Sequence, residues 1–135
     1  TGPELAPLGW RPRTNSAVDK AVLASLGGSP EDMLIEAVAR LKGALDAVEG
    51  HDAGLVEQAM ARSLPVLNAV LPLLTRERGT EASPLFVSCF YDSLDEFATR
   101  YYWRSWSPAS RSYRNMLESL DAFQESLLVP SSLQK

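Results

Sequence analysis

The fold is decided by the stretch VEQAMARSLPVLNAVLPLL at residues 56–74. Apolar side chains recur in it at intervals of three and four residues, the spacing that brings side chains to one face of an α-helix. The positions of this stripe are Val56, Met60, Leu64, Leu67, Leu71 and Leu74. Val66, Val70 and Leu73 widen the stripe, so we expect a central and largely buried helix over residues 53–75.

Two prolines lie inside this predicted helix. Pro65 and Pro72 each lack a backbone N–H group, and each ring crowds the preceding helical turn. We therefore predict a kink or a break near residues 61–65. Asp52 is well placed to cap the start of the helix, because its side chain can accept hydrogen bonds from the first free N–H groups.

Earlier in the chain, two further helices are predicted. Ser16 begins the first, which Gly27 and Gly28 end. Ser29 and Pro30 begin the second, with a serine cap, a proline in the first turn and acidic residues near the positive helix end. Its apolar stripe consists of Leu34, Val38, Leu41, Leu45 and Val48, and Gly50 ends it.

Two more helices are predicted later in the chain, each with a Ser-Pro start. Ser83 and Pro84 precede a stripe formed by Phe86, Phe90, Leu94, Phe97 and Tyr101. Ser107 and Pro108 precede a stripe formed by Tyr113, Met116, Leu120, Phe123 and Leu127. Ser107 is accordingly expected to cap the last helix.

These patterns predict an all-α fold, because no segment alternates apolar and polar residues as a strand does. We expect a compact bundle of four to five antiparallel helices over residues 16–128. An extended arm at residues 1–15 and a tail at residues 129–135 complete the organisation. The SLPVLNAVLPLL run and the helix before it also resemble the helix pairs of HEAT-type solenoids, which implies a short HEAT-like α-solenoid fragment as the alternative.

Composition narrows the function classes. The chain has 135 residues, a net charge of −4, one cysteine and one histidine. A single cysteine cannot form a disulfide within the chain. No apolar run in the sequence is long enough to span a membrane. The chain begins with threonine, so we expect it to be a piece of a larger protein. The single cysteine favours a reducing compartment, the cytoplasm or the nucleus.

Neither catalysis nor a cofactor or metal is expected. Cys89 lies in sequence among Phe86, Phe90 and Leu94, which favours a small buried side chain over a nucleophile. His51 precedes Asp52 at a predicted helix start, and no metal-ligand spacing surrounds it. We therefore do not expect an enzyme.

The most distinctive segment is RYYWRSWSPASRSYR at residues 100–114. It holds four arginines and no carboxylate, although the chain as a whole is acidic. Aromatic rings and arginine dominate protein interfaces, because they combine rigid area with a planar hydrogen-bonding fork. The candidate partner-binding residues are Arg100, Tyr102, Trp103, Arg104, Trp106, Arg111 and Arg114.

We predict that this corner docks an acidic and apolar peptide or helix of another protein. The alternative is nucleic-acid or phosphate-ligand binding by the same patch, although the net charge makes nucleic acid unfavourable. A structural interpretation also stands, in which the rings cap the core, Arg100 pairs with Glu96 and Arg114 pairs with Glu118. An uncovered face of the 53–75 helix would instead accept a partner helix or a second copy of the chain, giving a homo-oligomer.

Serines accompany the arginines of this segment. Ser105, Ser107, Ser110 and Ser112 are candidate phosphorylation sites, and Ser107 is followed by proline. A phosphate on one of them would cancel positive charge on the patch.

Overall fold

The computed structural model describes residues 29–133, and it describes side chains for residues 29–127. The arm at residues 1–15 and the helix predicted from Ser16 lie outside this range. Within it all regular structure is helical and no strand occurs. The helices are α1 (Pro30–Gly43), α2 (Leu45–Glu49), α3 (Ala53–Arg78), α4 (Ser83–Tyr102) and α5 (Trp106–Leu133).

The helices form two hairpins that pack into one bundle. Short connections make consecutive long helices antiparallel, so α1 packs along α3 and α4 packs along α5. The short helix α2 lies mainly against α5 and joins the two hairpins. One cluster of buried apolar side chains draws on all five helices, which confirms the predicted all-α bundle.

The predicted stripes form this core. All six stripe positions of α3 are buried, and Val66 and Val70 are buried beside them. In α4 the buried stripe positions are Phe90, Leu94, Phe97 and Tyr101, whereas Phe86 is half-buried. The five predicted positions of α5 are buried as well.

Helix starts match the predictions only in part. Ser29 caps α1 by accepting a hydrogen bond from the Asp32 backbone N–H at 3.1 Å, and Asp52 caps α3 through the Leu55 N–H at 3.2 Å. Ser83, however, is the first residue of α4 rather than its cap. Its buried hydroxyl accepts from the Thr80 N–H at 2.9 Å and contacts the Ser126 hydroxyl at 2.8 Å.

The predicted cap at Ser107 is also wrong, because α5 begins one residue earlier, at Trp106. The Ser105 carbonyl accepts the first helical hydrogen bond, from the Ala109 N–H at 2.9 Å. Proline is tolerated at any position of the first helical turn. A Ser-Pro pair therefore indicates that a helix starts nearby, but it does not show which residue is the cap.

Helix continuity bears on two predictions. The helix α3 runs unbroken through Pro65 and Pro72, so of the predicted kink or break near residues 61–65 the break does not occur. Its apolar circumference is buried on both sides of Pro65, and this burial outweighs the loss of single hydrogen bonds. The break falls instead at Ala44, between α1 and α2.

Cys89 is exposed, contrary to the prediction that it is buried. Residue 89 precedes Phe90, and neighbouring residues on a helix are about 100° apart. The stripe through Phe86, Phe90 and Leu94 therefore faces the core while Cys89 turns away from it.

Glycine is required at the end of α3. A Cβ atom at Gly79 would lie 2.5 Å from the Thr75 carbonyl oxygen, which is closer than any side chain tolerates. The same carbonyl accepts the Gly79 N–H and so closes the helix. This close approach allows the chain to turn into the Thr80–Ser83 contact that begins α4.

The Tyr113 side chain links the two hairpins through the core. It is fully buried, it packs against Phe97 with ring centroids 5.1 Å apart, and its hydroxyl donates to the Leu41 carbonyl of α1 at 2.5 Å. Burial raises the pKa of this phenol well above its usual value.

Removing this hydroxyl should weaken the bundle. We expect Tyr113→Phe to lower the free energy of unfolding by about 0.5–1.5 kcal/mol, because the Leu41 carbonyl loses the hydrogen bond from the phenol and keeps the one from the Ala44 N–H. Urea denaturation followed by circular dichroism measures the change. Tyr102→Phe is the matched control, since Tyr102 is half-buried at the end of α4, and it should leave stability unchanged. Equal effects of the two changes would contradict the assignment.

The same phenol predicts a loss of stability in alkali. Because the pKa of Tyr113 is higher in the folded than in the unfolded chain, the unfolded chain loses its proton first, near pH 10. The contribution is complete below about pH 10 and declines as the pH rises beyond it. We expect the urea midpoint to fall as the pH rises above about 10 and to fall less in Tyr113→Phe. Identical pH profiles for the two proteins would contradict it.

Candidate functional site

A cleft opens at one end of the bundle, where the two hairpins meet. Its volume is about 560 Å³, which lies within the range of ligand sites. One wall comes from the end of α2 and the turn after it, and the other comes from the α4–α5 turn and the start of α5. The lining residues are Glu49, His51, Arg104, Trp106, Ser107, Ser110, Arg111 and Arg114.

Each wall begins at a helix end of unusual geometry. His51 has φ 62° and Arg104 has φ 56°, so both adopt the left-handed conformation that glycine usually supplies. After α2, the Asp52 N–H donates to the Ala47 carbonyl at 2.8 Å and the His51 N–H to the Val48 carbonyl at 3.2 Å. This hydrogen-bond pair is the Schellman motif.

The end of α4 repeats the motif. The Ser105 N–H donates to the Arg100 carbonyl and the Arg104 N–H donates to the Tyr101 carbonyl, both at 2.9 Å. Two helices therefore end on a left-handed residue with a large side chain, and both of these side chains line the cleft. A glycine at either position would satisfy the backbone but would contribute nothing to the cleft wall.

Aromatic rings hold the two walls together. The His51 ring stacks on Trp106 with centroids 4.9 Å apart and planes 8° from parallel. Trp106 in turn meets the Tyr101 ring edge-on, with centroids 5.6 Å apart. The half-buried Trp106 thus contributes a flat surface that is fixed on both sides.

Arg104 is anchored on the same aromatic cluster. Its guanidinium carbon lies 4.3 Å from the centre of the Tyr101 ring, and Nη1 donates to the Tyr101 carbonyl at 2.7 Å. The Tyr101 hydroxyl donates to the Glu57 carboxylate. Burial, followed by the hydrogen bond and the charge of Glu57, raises the pKa of Tyr101, and Arg104 opposes this shift. Tyr101 therefore stays neutral at ordinary pH.

The cleft carries an excess of positive charge. Three arginines line it with the single carboxylate of Glu49. Glu49 forms an ion pair with Arg114, which replaces the predicted pairing of Arg114 with Glu118. Arg111 is exposed and makes no ion pair or hydrogen bond within residues 29–127. Arg104 uses one of its five N–H donors on the Tyr101 carbonyl.

The structure distributes the seven predicted site residues over three environments. Four of them meet in the cleft: Arg104, Trp106, Arg111 and Arg114. Tyr102 and Trp103 form a separate edge-to-face pair at the end of α4, with centroids 4.9 Å apart, and Trp103 is 71% exposed. Arg100 lies inside the α4–α5 hairpin.

Arg100 has an interhelical role. It donates to the Ser112 hydroxyl at 2.6 Å and to the Pro108 carbonyl at 3.2 Å, and its Nη1 lies 3.7 Å from Glu96 as predicted. Ser112 is fully buried and also donates to Glu96 at 3.3 Å. This network fixes the start of α5 against α4, so Arg100 supports the cleft without lining it.

Sequence reasoning did not place His51 or Glu49 at the site. Both come from the other hairpin, about fifty residues before the arginine-rich segment. The available sequence signal was a histidine, rather than a glycine, directly after the helix-ending Gly50.

No family model, curated protein or solved structure matches the chain. Within residues 29–133, none of the helices combines the length and apolar character needed to cross a membrane. In the same part of the chain, no group of histidine, cysteine and carboxylate side chains is arranged to hold a metal ion.

The backbone geometry at His51 and Arg104 predicts that glycine is more stabilising than alanine there, which is the reverse of their order inside a helix. A left-handed non-glycine residue costs about 1 kcal/mol. The glycine variant at each position should therefore be more stable than the alanine variant by about 1 kcal/mol, since both lose the side chain and only glycine relieves the backbone. At Arg111, inside α5, alanine should be the more stable by about 1 kcal/mol. Thermal and urea denaturation measure all three pairs, and the same order at all three positions would contradict the geometry.

Proposed function

We propose that this chain is a protein-interaction domain whose cleft docks an acidic segment of another protein. The observation that carries the proposal is the meeting of two guanidinium groups that retain free donors, Arg104 and Arg111, with the stacked rings of His51 and Trp106. Guanidinium forks bind carboxylates in two-point contacts, and flat rings bind apolar or planar groups beside them.

The exposed ring pair next to the cleft supplies the apolar part of the surface. Trp103 precedes Arg104 in the chain, and most of its side chain is in contact with solvent. Large aromatic side chains are frequent anchors of protein interfaces because they bury a large area with few rotatable bonds. An acidic segment with an apolar side chain nearby would therefore contact both the cleft and the Tyr102–Trp103 pair.

Charge favours a protein partner over nucleic acid. The cleft gathers three arginines on a chain of net charge −4, whereas nucleic-acid surfaces carry positive charge along an extended stripe of a basic domain. A phosphate-bearing small ligand remains the second candidate, since the same guanidinium groups would bind it.

We propose binding rather than catalysis as the activity, in the cytoplasm or nucleus. His51 is engaged in the stack with Trp106, and the thiol of Cys89 lies outside the cleft. Cys89 is exposed and unpaired, which suits a reducing compartment.

The test compares two variants of equal charge change. Arg104→Gln with Arg111→Gln removes the free cleft arginines, and Arg62→Gln with Arg76→Gln removes two exposed arginines of α3. Fluorescent peptides rich in Glu and Leu serve as probes, and fluorescence polarisation reports binding. We expect the cleft variant to bind about tenfold or more weakly and the α3 variant to bind like the unmodified chain.

Three outcomes decide the proposal. Equal loss in both variants would mean general electrostatic attraction and would overturn it. Stronger binding of RNA than of the peptides, with affinity falling steeply between about 50 and 200 mM salt, would favour the nucleic-acid alternative. Stronger binding of inorganic phosphate than of the peptides would favour the small-ligand candidate.

A further inference from the structure

We propose that Ser107 is a phosphorylation site and that its phosphate occupies the cleft from within, closing it to an acidic partner. The regulatory half of this inference rests on the proposed docking function, whereas the modification site does not. Of the four serines in the arginine-rich segment, Ser107 alone combines exposure, a position in the cleft lining and a following proline.

The structure separates the other three serines from this role. Ser112 is fully buried and bonded to Arg100 and Glu96, so no enzyme reaches it without disrupting the hairpin. Ser105 is exposed but does not line the cleft. Ser110 lines the cleft but is half-buried and is followed by Arg111 rather than proline.

The Ser107 hydroxyl has no competing structural role. It is exposed, it is not the helix cap, and it makes no hydrogen bond within the range of described side chains. It lies in the first turn of α5, where Pro108 has no N–H group and the first helical bond is that of Ala109. Opening this turn to an enzyme therefore breaks few backbone hydrogen bonds.

Cations surround the position. Arg111 follows Ser107 by four residues, which places side chains on the same face of a helix with Cβ atoms roughly 5–6 Å apart. Arg104 and Arg114 line the same cleft, and after the Glu49 carboxylate is counted, a net of two positive charges remains there. A phosphoserine carries about −1.5 to −2 charges near pH 7, which matches this excess.

The reaction requires a nucleoside triphosphate and a protein kinase that accepts serine followed by proline. The Ser107 Oγ attacks the γ-phosphorus of ATP, a new P–O bond forms, and the bond from that phosphorus to the β–γ bridging oxygen breaks. ADP leaves, and the hydroxyl proton passes to the base of the kinase. The phosphate then binds Arg111 and Arg104, the two groups that the docked acidic segment would otherwise use.

The first experiment tests whether the site is modified. The 135-residue chain is incubated with ATP and a proline-directed kinase, and the products are mapped by mass spectrometry. Within residues 100–114 we expect phosphate on Ser107 and none on Ser112. In the same segment of Ser107→Ala we expect no phosphate, whereas Ser110→Ala should be phosphorylated on Ser107 to the same extent as the original sequence. Modification of a free peptide covering residues 103–112 but not of the folded chain would overturn the site.

The second experiment tests where the phosphate lies. Phosphoserine is placed at position 107 of the 135-residue chain by genetic code expansion, and its ³¹P resonance is titrated. Bound guanidinium groups favour the dianion, so we expect the second phosphate pKa to fall below its value of about 6 in the free phosphopeptide. Arg111→Gln should restore it, and Arg62→Gln should not. A pKa equal to that of the peptide would overturn the placement.

The third experiment separates regulation from docking. The phosphorylated chain should bind the acidic Glu/Leu peptides about tenfold or more weakly than the unmodified chain. Equal binding by both forms would overturn the closing of the cleft. If the unmodified chain binds none of the peptides but the ³¹P pKa is lowered and depends on Arg111, the phosphate site stands and the docking proposal fails.

Discussion

The hydrogen bond from the Tyr113 hydroxyl to the Leu41 carbonyl is the contact on which the arrangement of the two hairpins depends. It ties the first third of α5 to the last turn of α1, inside a core where a polar group without a partner is costly. The Leu41 carbonyl lies in the last turn of α1, just before the break at Ala44. Because this link fixes the end of α1, it also fixes the direction in which α2 continues, and α2 carries Glu49 toward α5.

The cleft is a consequence of that direction. Glu49 meets Arg114, and His51 meets Trp106, only because α2 lies along the first turns of α5. The exposed ion pair contributes little to stability, as is usual for pairs at the surface. The left-handed residues define the rest of the site, because each turns the chain sharply and contributes a large side chain to the cleft lining. Strained backbone conformations such as those of His51 and Arg104 are common at functional sites.

Much of the fold follows from local periodicity, and most of the site does not. The stripes through Leu67, Phe97 and Leu120 were sufficient to place the core, since a helix repeats its faces over every few residues. The prediction that Cys89 is buried was wrong, because a residue next to Phe90 in sequence does not lie on the same face of the helix. The prolines of α3 allowed either a kink or a break, and the helix continues through both of them because its apolar circumference is buried. The stack of His51 on Trp106 joins residues of different hairpins, and no local pattern reports such a contact.

The origin of the cleft walls in separate hairpins has a thermodynamic consequence. A molecule that contacts both His51 and Arg111 binds only while the hairpins are packed together, so its binding free energy adds to the stability of that packing. Occupancy and cohesion of the bundle are then linked quantities, each of which raises the other. A substitution deep in the core, far from any ligand, would weaken affinity simply by letting the hairpins separate more often. The affinity for such a molecule would therefore fall with the stability of the packing between the hairpins.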